Sequence, residues 1–327
     1  MADITNKEYS CFNPGTRWND QDGQPIQAHG GGVLFWEGKY YWYGENKDAP
    51  TEAAGACGYR TDVVGISCYT SDDLYNWTYE GLVLSAEPED INHDLHPSKI
   101  MERPKVIYNS STRQFVMWMH IDNSEYTLAK AGISVSASPT GPFRYLGSIF
   151  PNGADSRDLT LFQDDNGKAY LIHSSDWNKT LLISELNSDY TNVTGNFSRA
   201  FIDQYREAPA VFKRGGTYYM ITSGCTGWAP NIALYAEATS MMGLWGLKDN
   251  PCQGPDARKT FHAQSTFVLP LQGKQDAFIF MADIWIPNNL SESKYVWLPI
   301  SFDEDGIQIN WSDQWDLSVF DHPETGT

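Results

Sequence analysis

The chain has 327 residues, with 41 acidic against 23 basic side chains and a formal net charge of −18. That balance excludes nucleic acid and anionic membrane surfaces as natural partners, and no run is apolar and long enough to span a bilayer. The 12 Trp, 18 Tyr and 15 Phe suit a strand-rich core, and flat amphipathic rings also suit sugar binding.

The first residues, MADITNKEYS, have no apolar core and no basic head, so they do not read as a signal peptide. From there one pattern recurs five times. A polar anchor is followed four positions on by an apolar residue, then by a turn and an aromatic strand. The copies run HGGGVLFWEGKYYWYGE from His29, ERPKVIYNSSTRQFVMWMH from Glu102 and DLTLFQDDNGKAYLIHSS from Asp158, then EAPAVFKRGGTYYMITSG from Glu207 and QSTFVLPLQGKQDAFIFMAD from Gln264. Each reads as a β-hairpin, with its turn at Glu37-Gly38, Asn109-Ser110, Asn166-Gly167, Gly215-Gly216 or Gln272-Gly273. Between anchors lies a second pair of β-like runs, as in ISCYTSDDLYNWTYEGLVL and ISVSASPTGPFRYLGSIF. Residues 49–60, rich in Ala and Gly, read as a loop within the first unit.

Five units of four short strands predict an all-β fold, a single five-bladed β-propeller over residues 1–327. The blades fall at approximately 27–98, 99–153, 154–202, 203–259 and 260–320. No segment sustains a helical period, which excludes a helical solenoid and a Rossmann sheet. Five cysteines (Cys11, Cys57, Cys68, Cys225, Cys252) lack zinc-type pairing, and a Cys225–Cys252 disulfide stays open. Seven Asn-x-Ser/Thr sequons, at Asn76, Asn109, Asn178, Asn192, Asn196, Asn289 and Asn310, point to a secreted protein. Asp164-Asp165-Asn166-Gly167 shares part of a calcium loop but lacks its spacing and distal Glu, and reads as a hairpin turn.

In a propeller the innermost strand of each blade lines the central channel, so equivalent positions converge on one axis. The anchors His29, Glu102, Asp158, Glu207 and Gln264 should therefore meet at one mouth. Alone, each reads as an ordinary strand-end or channel residue; together they read as a site. Clustered carboxylates suit glycoside hydrolysis, in which one must hold a proton near neutral pH and give it to the leaving oxygen. Burial and a second carboxylate nearby both favour that proton.

These motifs resemble glycoside hydrolase family 43, five-bladed propellers that invert at the anomeric carbon. The resemblance runs from about Thr16 to Phe320. It implies Glu207 as catalytic acid and Asp158 as the carboxylate that orients it and tunes its pKa. Most members carry a base Asp on the first blade, where this chain has Ala28-His29-Gly30-Gly31-Gly32. The exo-β-1,3-galactanase branch shares that departure, and its motifs are matched by IQAHGGG, YGENK, SCYTSDDLYNW, ERPKVIYN, GADSRDLTLFQDD, REAPA and CTGWAPN. In that branch a fifth-blade Gln stands in for the base, here Gln264, acting as a base or only positioning water, and Glu102 contacts substrate.

Further sugar contacts are expected at Glu45, Tyr126, Asp176, Thr226, Trp228, Asn231 and Trp285, although the Arg expected after that last Trp is missing. No cofactor is required and no metal is predicted. Some relatives hold a channel ion near a His, for which His29 or His262 would serve here, and a structural calcium at such a place is not part of the expectation. The expected partner is a polysaccharide or oligosaccharide, bound by a monomer that is secreted or periplasmic. Three readings stay open: an inverting galactan 1,3-β-galactosidase acting on arabinogalactan-type chains, a galactofuranosidase, arabinofuranosidase or xylosidase of the same fold, and a sugar-binding propeller that has lost its base.

Overall fold

The computed structural model describes residues 8–54, 58–304 and 306–321. They form a five-bladed β-propeller. Blade one is His29–Trp36, Lys39–Asn46, Gly65–Ser71 and Thr78–Ser85; blade two is Ile100–Asn109, Gln114–Asp122, Lys130–Ser136 and Arg144–Ile149. Blade three is Leu159–Gln163, Ala169–Ser175, Thr180–Leu186 and Val193–Ala200; blade four is Arg206–Arg214, Thr217–Gly224, Leu234–Ala238 and Gly246–Leu247. Blade five is Gln264–Pro270, Phe278–Ile284, Lys294–Asp303 and Gly306–Asn310. Within each blade successive strands pair antiparallel, and the five first strands pack side by side in a closed ring.

The local chemistry follows the sequence. Glu37 and Gly38 both take positive φ, 47° and 88°, the mirror-image turn whose twist matches the flanking strands. Asn109 instead accepts the Ser111 and Thr112 N–H groups on its side-chain oxygen, an Asx turn that lengthens that hairpin. Asp164-Asp165-Asn166-Gly167 is a hairpin turn, its two carboxylates held by Lys213 Nζ at 2.7 and 2.8 Å.

One boundary differs from the repeat. Cys252–Gln253, counted in the fourth unit, pairs parallel with Gly306–Asn310 and adds a fifth strand to blade five. Pro251, which has no N–H to give blade four, accepts the Ile309 N–H at 2.8 Å. The other end of the chain seals the same region. Phe12 exchanges main-chain hydrogen bonds with Trp315 and stacks on it at 4.4 Å, and Gly15 N–H reaches Tyr295 O. The largest apolar cluster lies there, around the buried Trp42, Trp77 and Trp297.

Cys11, Cys68, Cys225 and Cys252 are all free thiols, so the Cys225–Cys252 disulfide left open by the sequence is not formed; Cys57 lies outside the described residues. The sequon at Asn109 is no glycosylation site in the folded chain, because its side chain is buried and donates to Ser188 O.

Candidate active site

Four inner strands carry a β-bulge directly after their anchor, with register shifts between His29 and Gly32, Glu102 and Lys105, Glu207 and Ala210, and Ser265 and Phe267. In three of them the next residue is left-handed: Gly30 at φ 60°, Arg103 at 54° and Ala208 at 53°. Arg103 and Ala208 also precede prolines, which favour extended backbone, so each stores about 1–3 kcal/mol of strain. The bulges turn the anchors toward one end of the channel. There a cavity of about 320 Å³ opens, lined by Glu45, Lys47, Glu102, Arg103, His120, Tyr126, Arg157, Asp158, Trp177, Asn178, Glu207, Gly227, Trp228, Gln264 and Trp285.

Glu207 is 9% exposed. Its Oε1 accepts Gln264 Nε2–H at 3.0 Å and its Oε2 accepts Asn178 Nδ2–H at 3.2 Å. Burial, then the Asp158 charge, push its carboxyl up to about 8 against the pull of Arg103. It therefore holds its proton near neutrality. Rotating the Asn178 amide would let Oδ1, buried without a partner, accept that proton. Asp158 Oδ1 pairs with Arg103 Nε at 3.0 Å and Oδ2 accepts the Ala208 N–H at 3.1 Å. Asp158 thus grips the strained peptide that follows Glu207.

Gln264 uses its full hydrogen-bonding capacity. Oε1 accepts Arg103 Nη2–H at 2.6 Å and the Trp285 indole N–H at 3.1 Å, while Nε2 donates to Glu207 and Ser223 Oγ. Trp285 therefore reaches the cavity and holds Gln264, although the Arg expected after it is missing. Trp285 also packs edge-on against Trp228 at 5.5 Å.

Glu102 sits among donors. Tyr126 OH donates to its Oε1 at 2.7 Å, His120 Nδ1 lies 3.4 Å from Oε2, and Lys47 Nζ lies 3.9 Å from Oε1. Burial opposes ionisation, but His120 and Lys47 outweigh it and hold the Glu102 carboxyl down at about 2. Burial alone would lower His120; its hydrogen bond to Asp122 and the Glu102 carboxylate beside its other ring nitrogen raise it to about 9. Glu45 pairs with Lys47 at 2.5 Å and accepts the Arg103 N–H. It fills the space a side chain on Gly30 would need, since a Cβ there would lie 2.4 Å from its Oε1.

Four of the five anchors line the cavity. His29 does not: it is fully buried beneath it, stacked on Tyr295 at 5.0 Å and 15°, and burial followed by the Lys47 charge lowers its imidazole to about 3. Eight of the expected site residues line the cavity, but Asp176, Thr226 and Asn231 do not. Asn231 holds the loop, bonding both main-chain groups of Gly224 and the Thr226 hydroxyl. Asp176 lies in a turn whose left-handed backbone presents its neighbour Trp177 instead. Sequence reasoning missed Lys47, Arg103, His120, Arg157, Trp177 and Asn178. His262 is half-exposed and pairs with Asp256. Among the described residues no group of three or more His, Cys, Asp or Glu is placed to hold a metal ion.

Residues 32–268 match the family model for glycosyl hydrolases family 43. The chain belongs to that family. A family 43 β-1,3-galactosidase solved with galactodeoxynojirimycin is 44% identical, with 94% of this chain and 100% of that one covered and a TM-score of 0.88. The exo-β-1,3-galactanase of Phanerochaete chrysosporium, solved with galactose, is 37% identical over 94% of this chain and 68% of that one, at a TM-score of 0.86. The exo-β-1,3-galactanase of Clostridium thermocellum is 38% identical over 93% and 66%, at 0.83. A curated relative, a β-D-galactofuranosidase of Aspergillus niger, is 26% identical over 212 residues, 62% of this chain and 61% of that protein. The match thus spans about three-fifths of that relative. As a family 43 member the chain is a glycoside hydrolase, and the Glu207–Asp158 pair occupies the mouth of its channel.

Proposed function

We propose that this glycoside hydrolase is an exo-acting β-1,3-galactanase, a galactan 1,3-β-galactosidase that releases galactose from arabinogalactan-type chains with inversion. The observation that carries the chemistry is Glu207, a buried carboxyl kept protonated by burial and by Asp158. Glu207 gives its proton to the leaving glycosidic oxygen as the C1–O bond breaks. Asp158 fixes the acid through the Ala208 peptide and keeps its proton affinity high. Gln264, on giving up one of the bonds its amide makes in the empty site, aims the water that adds to C1 from the opposite face; that water releases its spare proton to solvent, from which Glu207 is protonated again. Glu102, ionised and backed by His120 and Lys47, accepts hydrogen bonds from sugar hydroxyls. Glu45, Tyr126, Trp228 and Trp285 complete the wall. The similarity to solved β-1,3-galactosidases supports the choice of sugar.

No helix among the described residues is long and apolar enough to cross a membrane. We place the enzyme outside the cytoplasm, secreted or periplasmic, because a polymer must be cut where it is met, and it works as a monomer without a metal or cofactor. The test is product release from β-1,3-galactan beside aryl arabinofuranoside, xyloside and galactofuranoside. Galactose from the galactan alone supports the reading. Cleavage of a furanoside alone transfers the enzyme to a galactofuranosidase-type activity, and no cleavage of any substrate leaves a binding protein.

A further inference from the structure

We infer that the turn Asp176–Asn178 builds the subsite for the leaving sugar, with the exposed face of Trp177 as its platform. Three consecutive residues of this turn are left-handed, at φ 51°, 53° and 64°. Such a run in non-glycine residues persists only where surrounding bonds over-determine it. Here Asp155 does so, its carboxylate accepting the Ser175 hydroxyl at 2.9 Å and the N–H groups of Asp176 and Trp177 at 2.6 and 3.1 Å. The result is an indole 62% exposed at the cavity wall. Arg157 lies over the ring at 4.5 Å and is itself fixed by Tyr126 O at 3.1 Å and by Asp122 and Asp155 at 3.6 Å.

The turn is also registered against the acid. Asn178, the next residue, donates to Glu207 Oε2, whereas Gln264 holds Oε1. Glu207 protonates the leaving oxygen, so the departing sugar lies against the residues that flank the acid, and on the Asn178 side the next of these along the cavity wall is Trp177. The C–H face of a β-linked pyranose is apolar and flat enough to cover an indole. Trp177 is therefore a specificity-determining residue for a pyranose leaving group.

This inference rests on the galactanase reading, and the experiment separates the two. Wild type, Trp177→Ala and Trp177→Phe are assayed on β-1,3-galactotriose and on β-galactosyl fluoride, whose departing fluoride cannot reach the platform. The ratio of kcat/KM on the triose to that on the fluoride should fall about 10- to 100-fold in Trp177→Ala and less in Trp177→Phe. An unchanged ratio, with both rates intact or both lowered together, overturns the subsite. A wild-type enzyme that leaves the triose intact overturns the galactanase reading itself.

Discussion

Glu207→Gln should stabilise the protein, and increasingly so as pH rises. In the unfolded chain the carboxyl loses its proton near 4.5; in the folded chain burial and the Asp158 charge hold that proton up to about 8. Between those values the unfolded state binds fewer protons, so the Glu207 contribution to stability is intact below 4.5 and is lost as pH rises through the window toward 8. The full shift corresponds to about 5 kcal/mol as an upper bound. Water and nearby side chains relax around the ionised group, so about 2 kcal/mol is the working figure at pH 8.5. For a chain of this size that is about 3 °C in Tm. Gln has no proton to lose and fills the same volume, with the Asn178 amide rotating to present Oδ1 to its NH2. Calorimetry of both proteins at pH 5 and pH 8.5 reads the difference directly. A Tm gap that is the same at both pH values, or that narrows as pH rises, would refute the claim that Glu207 is a carboxyl held protonated by its site.

Two further substitutions follow from the same geometry. Asp158→Asn removes the charge that favours the Glu207 proton and releases Arg103 to oppose it, so the alkaline limb of the kcat/KM profile should move to lower pH while kcat falls; a limb that stays put would leave Asp158 without its tuning role. Gln264→Ala should lower turnover of galactan by about 100-fold or more, and azide entering the vacated space beside Arg103 should restore part of it as α-galactosyl azide, detected by mass and coupling constant. Undiminished turnover, or a β-azide, would contradict a water-aiming Gln264.

The blades were legible because a propeller repeats itself. The hairpin turns and aromatic strands of each unit carry the same local chemistry, and symmetry alone brings Glu102, Asp158, Glu207 and Gln264 to one mouth. What periodicity cannot carry is the local backbone that breaks it. The bulge after Glu102 hands the cavity a second residue of the same strand, and so Arg103, which ties Asp158 to Gln264, was invisible as a site residue. The signal it did leave is the Glu-Arg-Pro and Glu-Ala-Pro spacing, where the residue after each acid precedes a proline. The left-handed turn at 176–178 likewise swaps Asp176 for Trp177 and Asn178. Lys47 and His120 were missed for another reason: they are cations buried behind carboxylates, and only the fold brings Glu45, Glu102 and Asp122 around them. His29 shows the converse, an anchor by sequence that the three glycines after it let sink below the site, where a Cβ on Gly31 would lie 1.8 Å from Tyr43 O.

The most direct test of the account is the anomeric form of the first galactose released. Wild-type enzyme is mixed with β-1,3-galactotriose and followed by proton NMR before mutarotation intervenes. A single displacement driven by Glu207 predicts α-galactose as the first signal, with galactobiose beside it. β-Galactose appearing first would mean a covalent intermediate and a nucleophile that the Gln264 side of this cavity does not supply, and the proposed mechanism would fall.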